Sequence, residues 1–309
     1  MLVSGAPIPR LRQTGIRFAT VTVNASPFRR IGLIAKPEDP RLPQVLGQLL
    51  DLLQARGLEV IADPAAAAAL QGALPSMPLE QLGHACDLAV VMGGDGTLLA
   101  TGRRLADDDI PLVGVNLGRL GFLVDISPTE ARDALAAILD GRYKEDRRCL
   151  LSAQVGEQAP VLALNDVVFH KWNTARMIEF ETWIDGRFVD SQRSDGIIIS
   201  TPTGSTAYAL SGGGPLLEPS LDAIALVPIS PHRLSNRPIV VHGDAVIEIR
   251  VSPRTDPDQV RITCDGQEGI APGAEDTLLV RKHNHSVRLF HPADHDHFQL
   301  LRAKLGWGD

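Results

Sequence analysis

The hydrophobic pattern of the chain changes its period near residue 144, and this change constrains the fold more than any other feature. From residue 31 to residue 141, short apolar runs alternate with segments of helical spacing. After residue 144 the pattern becomes a series of short alternating runs separated by turn residues. The first pattern is typical of a doubly wound, Rossmann-like α/β domain and the second of an antiparallel β-sandwich. We therefore predict an α/β plus all-β chain, with domains over residues 31–145 and 146–290.

The same patterns place the individual elements. In the first domain we predict buried strands at Ile31–Ala35, Leu58–Ala62, Leu88–Met92 and Leu112–Val115. Ser127 followed by Glu130 is a capping-box pattern for a helix that Gly141 ends. In the second domain we predict strands at Val161–His170, Met177–Ile184, Arg187–Ser191, Gly196–Ser200, Ile239–Val241, Ala245–Val251, Val260–Cys264, Leu278–Arg281 and Ser286–Phe290.

Turns and termini complete this assignment. Asp185-Gly186 and Asp265-Gly266 favour two-residue hairpin turns. A helix is predicted at His297–Leu305, within a tail of residues 291–309 that packs back on the first domain. Residues 1–37 contain six basic and no acidic side chains. Such leaders occur in organelle transit peptides, but a flexible extension over residues 1–30 or a misplaced start codon is the simpler interpretation.

Composition narrows the possible partners. The net charge of −7 argues against a general nucleic-acid-binding surface, since duplex binding needs a basic face. No run approaches the ~18 apolar residues of a membrane span. The three cysteines, Cys86, Cys149 and Cys264, lie far apart and favour a reducing compartment. We therefore predict a cytoplasmic protein with neither nucleic acid nor membrane as a partner.

A glycine-rich loop is the first candidate site. Gly93, Gly94, Asp95, Gly96 and Thr97 follow a predicted buried strand and open a predicted helix. Glycines let backbone N–H groups approach an anion, and a helix N-terminus attracts phosphate. A carboxylate beside phosphate is useful if it binds a divalent metal or accepts a proton from an attacking hydroxyl. A tight turn without function is an equal alternative from these residues alone.

Other nucleotide-binding patterns are absent. The chain has no GxxxxGK[ST] P-loop, and its glycines do not follow the GxGxxG spacing of dinucleotide-binding folds. A second candidate segment runs from Asp195 to Pro215 and carries six serine and threonine hydroxyls within Ser200–Ser211. Its length and glycine content favour ligand binding over a plain polar loop.

Several motifs in one order resemble the NAD kinase family. They are Gly93–Thr97 (GGDGT), Asn116–Leu123 (NLGRLGFL), Leu164–Val168 (LNDVV), Asp195–Pro215 (DGIIISTPTGSTAYALSGGGP), Leu234–Pro238 (LSNRP) and Lys304–Trp307 (KLGW). The GGDG motif alone is weak, because phosphofructokinases and diacylglycerol kinases contain similar loops. The resemblance covers the chain from about Ile31 to its C-terminus.

The resemblance implies an activity and its requirements. Members of this family transfer phosphate from ATP to the 2′-hydroxyl of the adenosine ribose of NAD, which forms NADP and ADP. They use a divalent metal, usually Mg²⁺, and commonly form homodimers or homotetramers. Two alternatives remain from the sequence: a related kinase with a lipid or sugar acceptor, and a non-catalytic NAD(P)-binding regulator.

The resemblance also assigns residues. Asp95 corresponds to the proton acceptor, and Asp166 replaces a family Glu, which shortens its reach by one methylene. Arg193 suggests a preference for oxidised NAD over NADH. The predicted substrate-binding residues are Gly93, Gly94, Gly96, Thr97, Asn165, Asp166, Arg176, Arg193, Asp195, Thr206, Ala207, Tyr208, Ser211 and Gln267.

Two further features suggest metal binding but are better explained otherwise. Five histidines cluster near the end of the chain: His283, His285, His291, His295 and His297. The acidic run Asp107-Asp108-Asp109 lies between a predicted helix and a predicted strand. Neither feature has convincing partner ligands nearby in the sequence. We therefore predict surface histidines and a solvated turn, and no metal ligands are assigned.

Overall fold

The computed structural model describes residues 27–307 except Glu38, Arg119, Glu268 and Ala274. Most of the predicted extension at residues 1–30 lies outside the described residues. No helix in the described part of the chain has the length and apolar character needed to cross a membrane.

The first half of the chain is a parallel sheet with helices on both faces. Its strands run in the order β2-β1-β3-β4 and are β1 Arg30–Ala35, β2 Glu59–Ala62, β3 Leu88–Gly93 and β4 Pro111–Asn116. The helices are α1 Leu42–Ala55, α2 Pro64–Ala69, α3 Leu79–Leu82, α4 Asp95–Arg104 and α5 Ala131–Leu139. Leu46 of α1 and Leu98 of α4 belong to separate cores on opposite faces of the sheet. The predicted doubly wound, Rossmann-like arrangement is confirmed.

Helix α5 begins later than its sequence pattern predicts. Glu130 is its N-cap, and no side chain caps a backbone N–H group there. The Ser127 hydroxyl instead donates to Glu130 Oε2 at 2.5 Å. The capping-box prediction was therefore wrong, because the two side chains bind each other rather than the backbone. Gly141 adopts a φ of +80° after the helix, as expected for a terminating glycine.

The second half is a two-layer β-sandwich. Its described strands, and the short helix α6, are β5 Tyr143–Val155, β6 Val161–Ala163, β7 Asp166–Lys171, β8 Ile178–Ile184, β9 Arg187–Ser194, β10 Gly196–Ser200, α6 Tyr208–Ser211, β11 Ala223–Ile229, β12 Ile239–His242, β13 Ile247–Val251, β14 Val260–Cys264 and β15 Thr277–Pro292. Five strands form one layer in the order β12-β11-β10-β7-β14. Side chains such as Phe169, Phe180 and Ile249 fill the core between the layers.

Several predicted strands have different limits in the structure. The strand predicted at Val161–His170 is two strands, β6 and β7, and the two predicted near the end of the domain are the single strand β15. Strands β5 and β11 were not predicted. All four residues of the predicted turns at Asp185-Gly186 and Asp265-Gly266 have positive φ. The first turn joins the paired strands β8 and β9, as predicted, whereas only an isolated bridge between Ile262 and Ile270 follows the second.

The two halves share one sheet. Strand β15 pairs in parallel with β4 and antiparallel with both β5 and β13. The parallel sheet therefore continues into one layer of the sandwich as a ten-stranded sheet.

The C-terminal helix returns to the first half, as predicted. Helix α7 spans His297–Leu305, and its Leu300 and Leu301 are buried. Lys304 donates to the carbonyl of Leu120 and lies 4.9 Å from the centre of the Phe122 ring.

Candidate active site

A cleft of about 350 Å³ opens at the carboxyl edge of the parallel strands. Lys36 follows β1, Gly94 follows β3, and Leu117 and Gly118 follow β4; all of them line this cleft. Ligands of open α/β sheets bind at this edge. The cleft therefore combines a glycine loop, a helix N-terminus and one ammonium group.

The glycine loop keeps the N-terminus of α4 accessible. A Cβ on Gly93 would lie only 2.4 Å from Thr97 Oγ1, so the loop folds tightly onto the first turn of the helix. Gly94 is the N-cap and supplies no capping side chain, and positions 94 and 96 face open space. The first N–H groups of a ten-residue helix are thus available to an anion such as phosphate.

Asp95 joins the glycine loop to the segment that follows β4. Its Oδ2 accepts the backbone N–H of Phe122 at 2.7 Å, and its Oδ1 accepts those of Leu123 and Val124, both at 3.1 Å. A Cβ on Gly121 would lie 1.9 Å from Asp95 Oδ1, so this approach requires glycine there. Two sequence motifs, GGDG and NLGRLGFL, therefore form one local structure around a single carboxylate.

A second cavity of about 470 Å³ lies in the sandwich half. Five of the predicted binding residues line it: Asn165, Asp166, Asp195, Ala207 and Tyr208. The other lining residues were not predicted: Val168, His170, Lys171, Ile229, Thr263, Asp265 and Gly266. The Lys171 ammonium lies 2.7 Å from Asp195 Oδ1, so a cation balances one of the cavity's carboxylates.

Asp166 is the most unusual side chain in this cavity. Only 4% of the residue is exposed, and no described residue donates a hydrogen bond to its carboxyl group. Burial, and then the negative charge of Asp265, raise the pKa of Asp166 to about 7. The carboxyl group can therefore gain hydrogen bonds from a ligand that carries hydroxyl groups.

Asp265 fixes the position of Asn165 and Asp166. Its side chain is 1% exposed and accepts three successive backbone N–H groups, those of Leu164, Asn165 and Asp166, at 2.7–3.2 Å. Arg103 Nη1 lies 3.4 Å from Asp265 Oδ2 and also donates to the carbonyl of Cys264. The sequence identified only the turn here. An aspartate in an Asp-Gly turn was the one available signal, and it does not specify where the carboxylate binds.

Helix α4 connects the two cavities. It begins at Asp95 in the glycine loop, and Arg103 in its last turn contacts Asp265. Eight residues of α-helix correspond to about 12 Å of axial rise. The glycine cleft and the second cavity thus lie near opposite ends of helix α4.

Other predicted residues do not line either cavity. Arg176, Arg193, Ser211 and Gln267 are exposed, and the Thr206 hydroxyl donates to the carbonyl of Thr203. Arg193 lies on β9, where its register partner on β8 is Glu179. Their assigned roles remain predictions.

Fold and cavities together resemble those of a phosphotransferase: an accessible glycine loop at the start of helix α4 and a carboxylate-lined cavity beyond its other end. Two family models match the chain, the ATP-NAD kinase N-terminal domain over residues 31–143 and the ATP-NAD kinase C-terminal domain over residues 164–291. The chain belongs to the NAD kinase family. It is an ATP-dependent NAD kinase, which binds ATP and NAD, forms NADP and uses a divalent metal.

Individual relatives agree with this assignment. The chain is 50% identical to the NAD kinase of Nitrosococcus oceani over 92% of this chain and 98% of that one, and 47% identical to the NAD kinase of Alcanivorax borkumensis over 91% and 94%. The crystal structure of yeast NADH kinase complexed with NADH superposes with a TM-score of 0.83 at 25% identity, covering 92% of this chain and 89% of that one. An NAD kinase from Archaeoglobus fulgidus in complex with ATP gives a TM-score of 0.71 at 27% identity, with coverage of 90% and 98%.

Proposed function

We propose that NAD binds with its adenosine half in the sandwich cavity, that ATP places its phosphates in the glycine cleft, and that Asp95 accepts the proton of the ribose 2′-hydroxyl. The buried carboxyl group of Asp166, which receives no hydrogen bond from the described residues, is the observation that carries this proposal. A ribose diol supplies the hydroxyl donors that this group lacks. Asn165 beside it offers an amide that can pair with adenine.

The glycine cleft suits the phosphates of the donor. Lys36 supplies a positive charge, and the uncapped N-terminus of α4 supplies N–H groups and the positive end of the helix dipole. Phosphoryl transfer depends mainly on positioning and on stabilising charge in the transition state. The N–H groups at the start of α4 can position the phosphates, and Lys36 can stabilise their charge.

The hydrogen bonds of Asp95 are compatible with a role as proton acceptor. A carboxylate has about four acceptor positions, and three are occupied by backbone N–H groups. One position remains for the substrate hydroxyl. The three bonds also hold the carboxylate in one orientation, which favours proton transfer at a defined atom.

The residues of the glycine cleft fit Mg²⁺ that arrives with ATP better than a metal held by protein alone. Among the described residues, three groups of three potential ligands occur, and none of them includes Asp95, Asp166 or Asp39. Mg²⁺ usually retains several waters and binds one or two carboxylates together with substrate phosphates. Asp39 borders the cleft and Asp95 follows its two glycines, so these are the carboxylates that would contact the metal, and the bound metal would neutralise phosphate charge.

Three further points belong to the same proposal. We expect a preference for oxidised NAD, on the basis of Arg193. We expect a homodimer or homotetramer that functions in the cytoplasm, with neither nucleic acid nor membrane as a partner. We also keep the domain limits of 31–145 and 146–290 as the units that carry the two cavities.

The test measures ADP release by purified protein with ATP, Mg²⁺ and each acceptor, and a coupled NADP-formation assay identifies the product formed from NAD. NAD, NADH, diacylglycerol and fructose phosphate are compared as acceptors, and NAD is expected to give the highest rate. Asp95→Asn should keep its affinity for NAD but lose ~10²–10⁴-fold in turnover. Asp51→Asn, an exposed carboxylate on α1, is the control and should match the wild type. Near-normal turnover of the Asp95 variant would refute its role as proton acceptor.

A further inference from the structure

Two sequence features that were interpreted separately meet on the surface. Asp107 Oδ1 lies 3.0 Å from His283 Nε2 and 2.9 Å from His285 Nδ1. The acidic run and the His-x-His pair are thus parts of one cluster, although they are more than 170 residues apart in sequence. We infer that Asp107, His283 and His285 bind a divalent transition-metal ion of the zinc class.

The fold directs all three ligand atoms to one point. Strand β15 contains a bulge: between the pairs Lys282–Leu151 and Ser286–Cys149, three residues of β15 face one residue of β5. Bulges re-aim side chains, and this one contains both histidines. Asp107 comes from the 3-10 turn Ala106–Asp108, one residue after the end of α4. A strand bulge and a helical turn therefore supply the ligands.

The three ligand atoms lie at hydrogen-bond distances, which are shorter than the ligand spacing of a metal site. Zinc bonds to nitrogen and oxygen are about 2.0–2.1 Å long, which places neighbouring tetrahedral ligand atoms about 3.3 Å apart. Two imidazoles bound at that angle have ring centres about 5 Å apart by the same geometry. The observed N–O distances are 2.9 and 3.0 Å, and the ring centres of His283 and His285 are 5.6 Å apart at 84°. A metal can enter with small side-chain movements.

Two other groups in the described part of the chain fit less well. Asp125 accepts from His291 and His295, but these rings are stacked 4.0 Å apart, which is too close for two ligands of one tetrahedral ion. These two side chains are buried, so the prediction of surface histidines was wrong for them. Asp222 and Asp244 already share the ammonium of Lys282, at 2.6–3.0 Å. A positive charge thus occupies the place that a cation would take.

The chemistry of the three ligands also indicates which class of metal ion the site prefers. Imidazole nitrogen with one carboxylate suits zinc, nickel or copper, whereas Mg²⁺ prefers oxygen ligands. Asp107 is 74% exposed, so water can complete the coordination. The inferred site is therefore separate from the metal that accompanies ATP.

Calorimetric titration of the full chain with Zn²⁺ in the presence of excess Mg²⁺ tests this inference. We expect one Zn²⁺ per chain, and Co²⁺ in its place should give the visible absorption of a nitrogen- and oxygen-ligated ion. Asp107→Asn and His285→Gln should each weaken Zn²⁺ binding at least ~10-fold, because even the loss of an outer-shell partner costs that much. His232→Gln, an exposed histidine outside the cluster, is the control and should bind as the wild type does.

The outcome is independent of the kinase assay. NADP formation with Mg²⁺ should be unchanged in both cluster variants, since neither residue lines the glycine cleft or the sandwich cavity. Absence of measurable Zn²⁺ binding by the wild type would overturn the inference. Undiminished binding in Asp107→Asn and His285→Gln would overturn it as well, because the ion would then lie elsewhere.

Discussion

At the scale of the residue, Asp166 links the stability of the protein to pH. The pKa of this group is about 7 in the folded chain, against an ordinary value of 3.8, because burial and the charge of Asp265 disfavour ionisation. Between pH ~4 and ~7 the unfolded chain is ionised at this position while the folded chain stays protonated. Stability is therefore lost as pH rises through this window and changes little above it.

Asp166→Asn should remove this pH-dependent loss. The difference between the two pKa values corresponds to at most ~4 kcal/mol, and ~1 kcal/mol changes Tm by roughly 2–4 °C in a chain of this size class. Without ligand, we expect the variant to melt several degrees above the wild type at pH 8, and the gap to close towards pH 4. Its KM for NAD should rise, because the amide offers one acceptor oxygen in place of two. Melting curves and initial rates measure both effects. A Tm difference independent of pH would contradict this account of Asp166.

The sequence alone predicts functional side chains where they lie in short motifs. The motifs identified Asp95 and Asp166 directly, since each lies in a short pattern of its own. They could not reveal that Asp95 binds the backbone of residues 122–124, or that Asp265 orients Asn165. These contacts join segments 27 to 101 residues apart, and only the folded chain brings them together.

At the scale of the element, two Asp-Gly turns with the same backbone have different roles. Asp185 and Asp265 have φ of 49° and 51°, and each precedes a glycine of positive φ. Asp185 accepts one exposed backbone N–H, that of Val246. Asp265 accepts three N–H groups from a buried position. Because the two turns have equivalent backbone geometry, a comparison of variants at Asp185 and Asp265 measures the contribution of the buried carboxylate alone.

Asp265→Asn should therefore cost more than Asp185→Asn. Asn also tolerates positive φ, so both turns are retained. Loss of charged hydrogen bonds at a buried site should cost ~1–3 kcal/mol at position 265, against less than ~0.5 kcal/mol at the exposed position 185. Melting should be compared at pH 5, where Asp166 is protonated in the folded chain and its response to the lost charge of Asp265 does not interfere. We also expect a higher KM for NAD only in the position 265 variant. Equal Tm losses in the two variants would show that Asp265 serves the turn alone.

Element prediction failed where side-chain pattern and strand pairing disagree. Strand β5 begins with the charged run Lys144–Arg148, a pattern that is typical of a loop. Its charges are satisfied across the fold, for example by the pairing of Glu145 with Arg288 of β15. Strand β11 contains Pro228, which normally argues against a strand in the middle of a sheet. In both cases tertiary partners override the local preference.

At the scale of the whole molecule, β15 joins the two halves in one sheet. Leu289 pairs with Leu112 of β4, while the same strand pairs with β5 along most of its length and with β13 near its start. The stacked rings of Tyr143 and Phe290, 4.0 Å apart, add contact at this junction. The period change correctly predicted a Rossmann-like α/β part followed by a β-sandwich. It could not predict a common sheet, because strand partners distant in sequence leave no local pattern.

This continuity predicts a single thermal transition. Leu46→Ala in α1 and Ile249→Ala in β13 each remove a fully buried side chain from a different core, at a cost of ~2–5 kcal/mol. If the halves unfold together, each substitution should lower the same transition, and the calorimetric and van't Hoff enthalpies should agree. If the halves unfold independently, each substitution should shift only one of two transitions. The coupled result would mean that ligand binding in the sandwich cavity also stabilises the glycine loop, because a ligand of either half then stabilises the one folded state that both halves share.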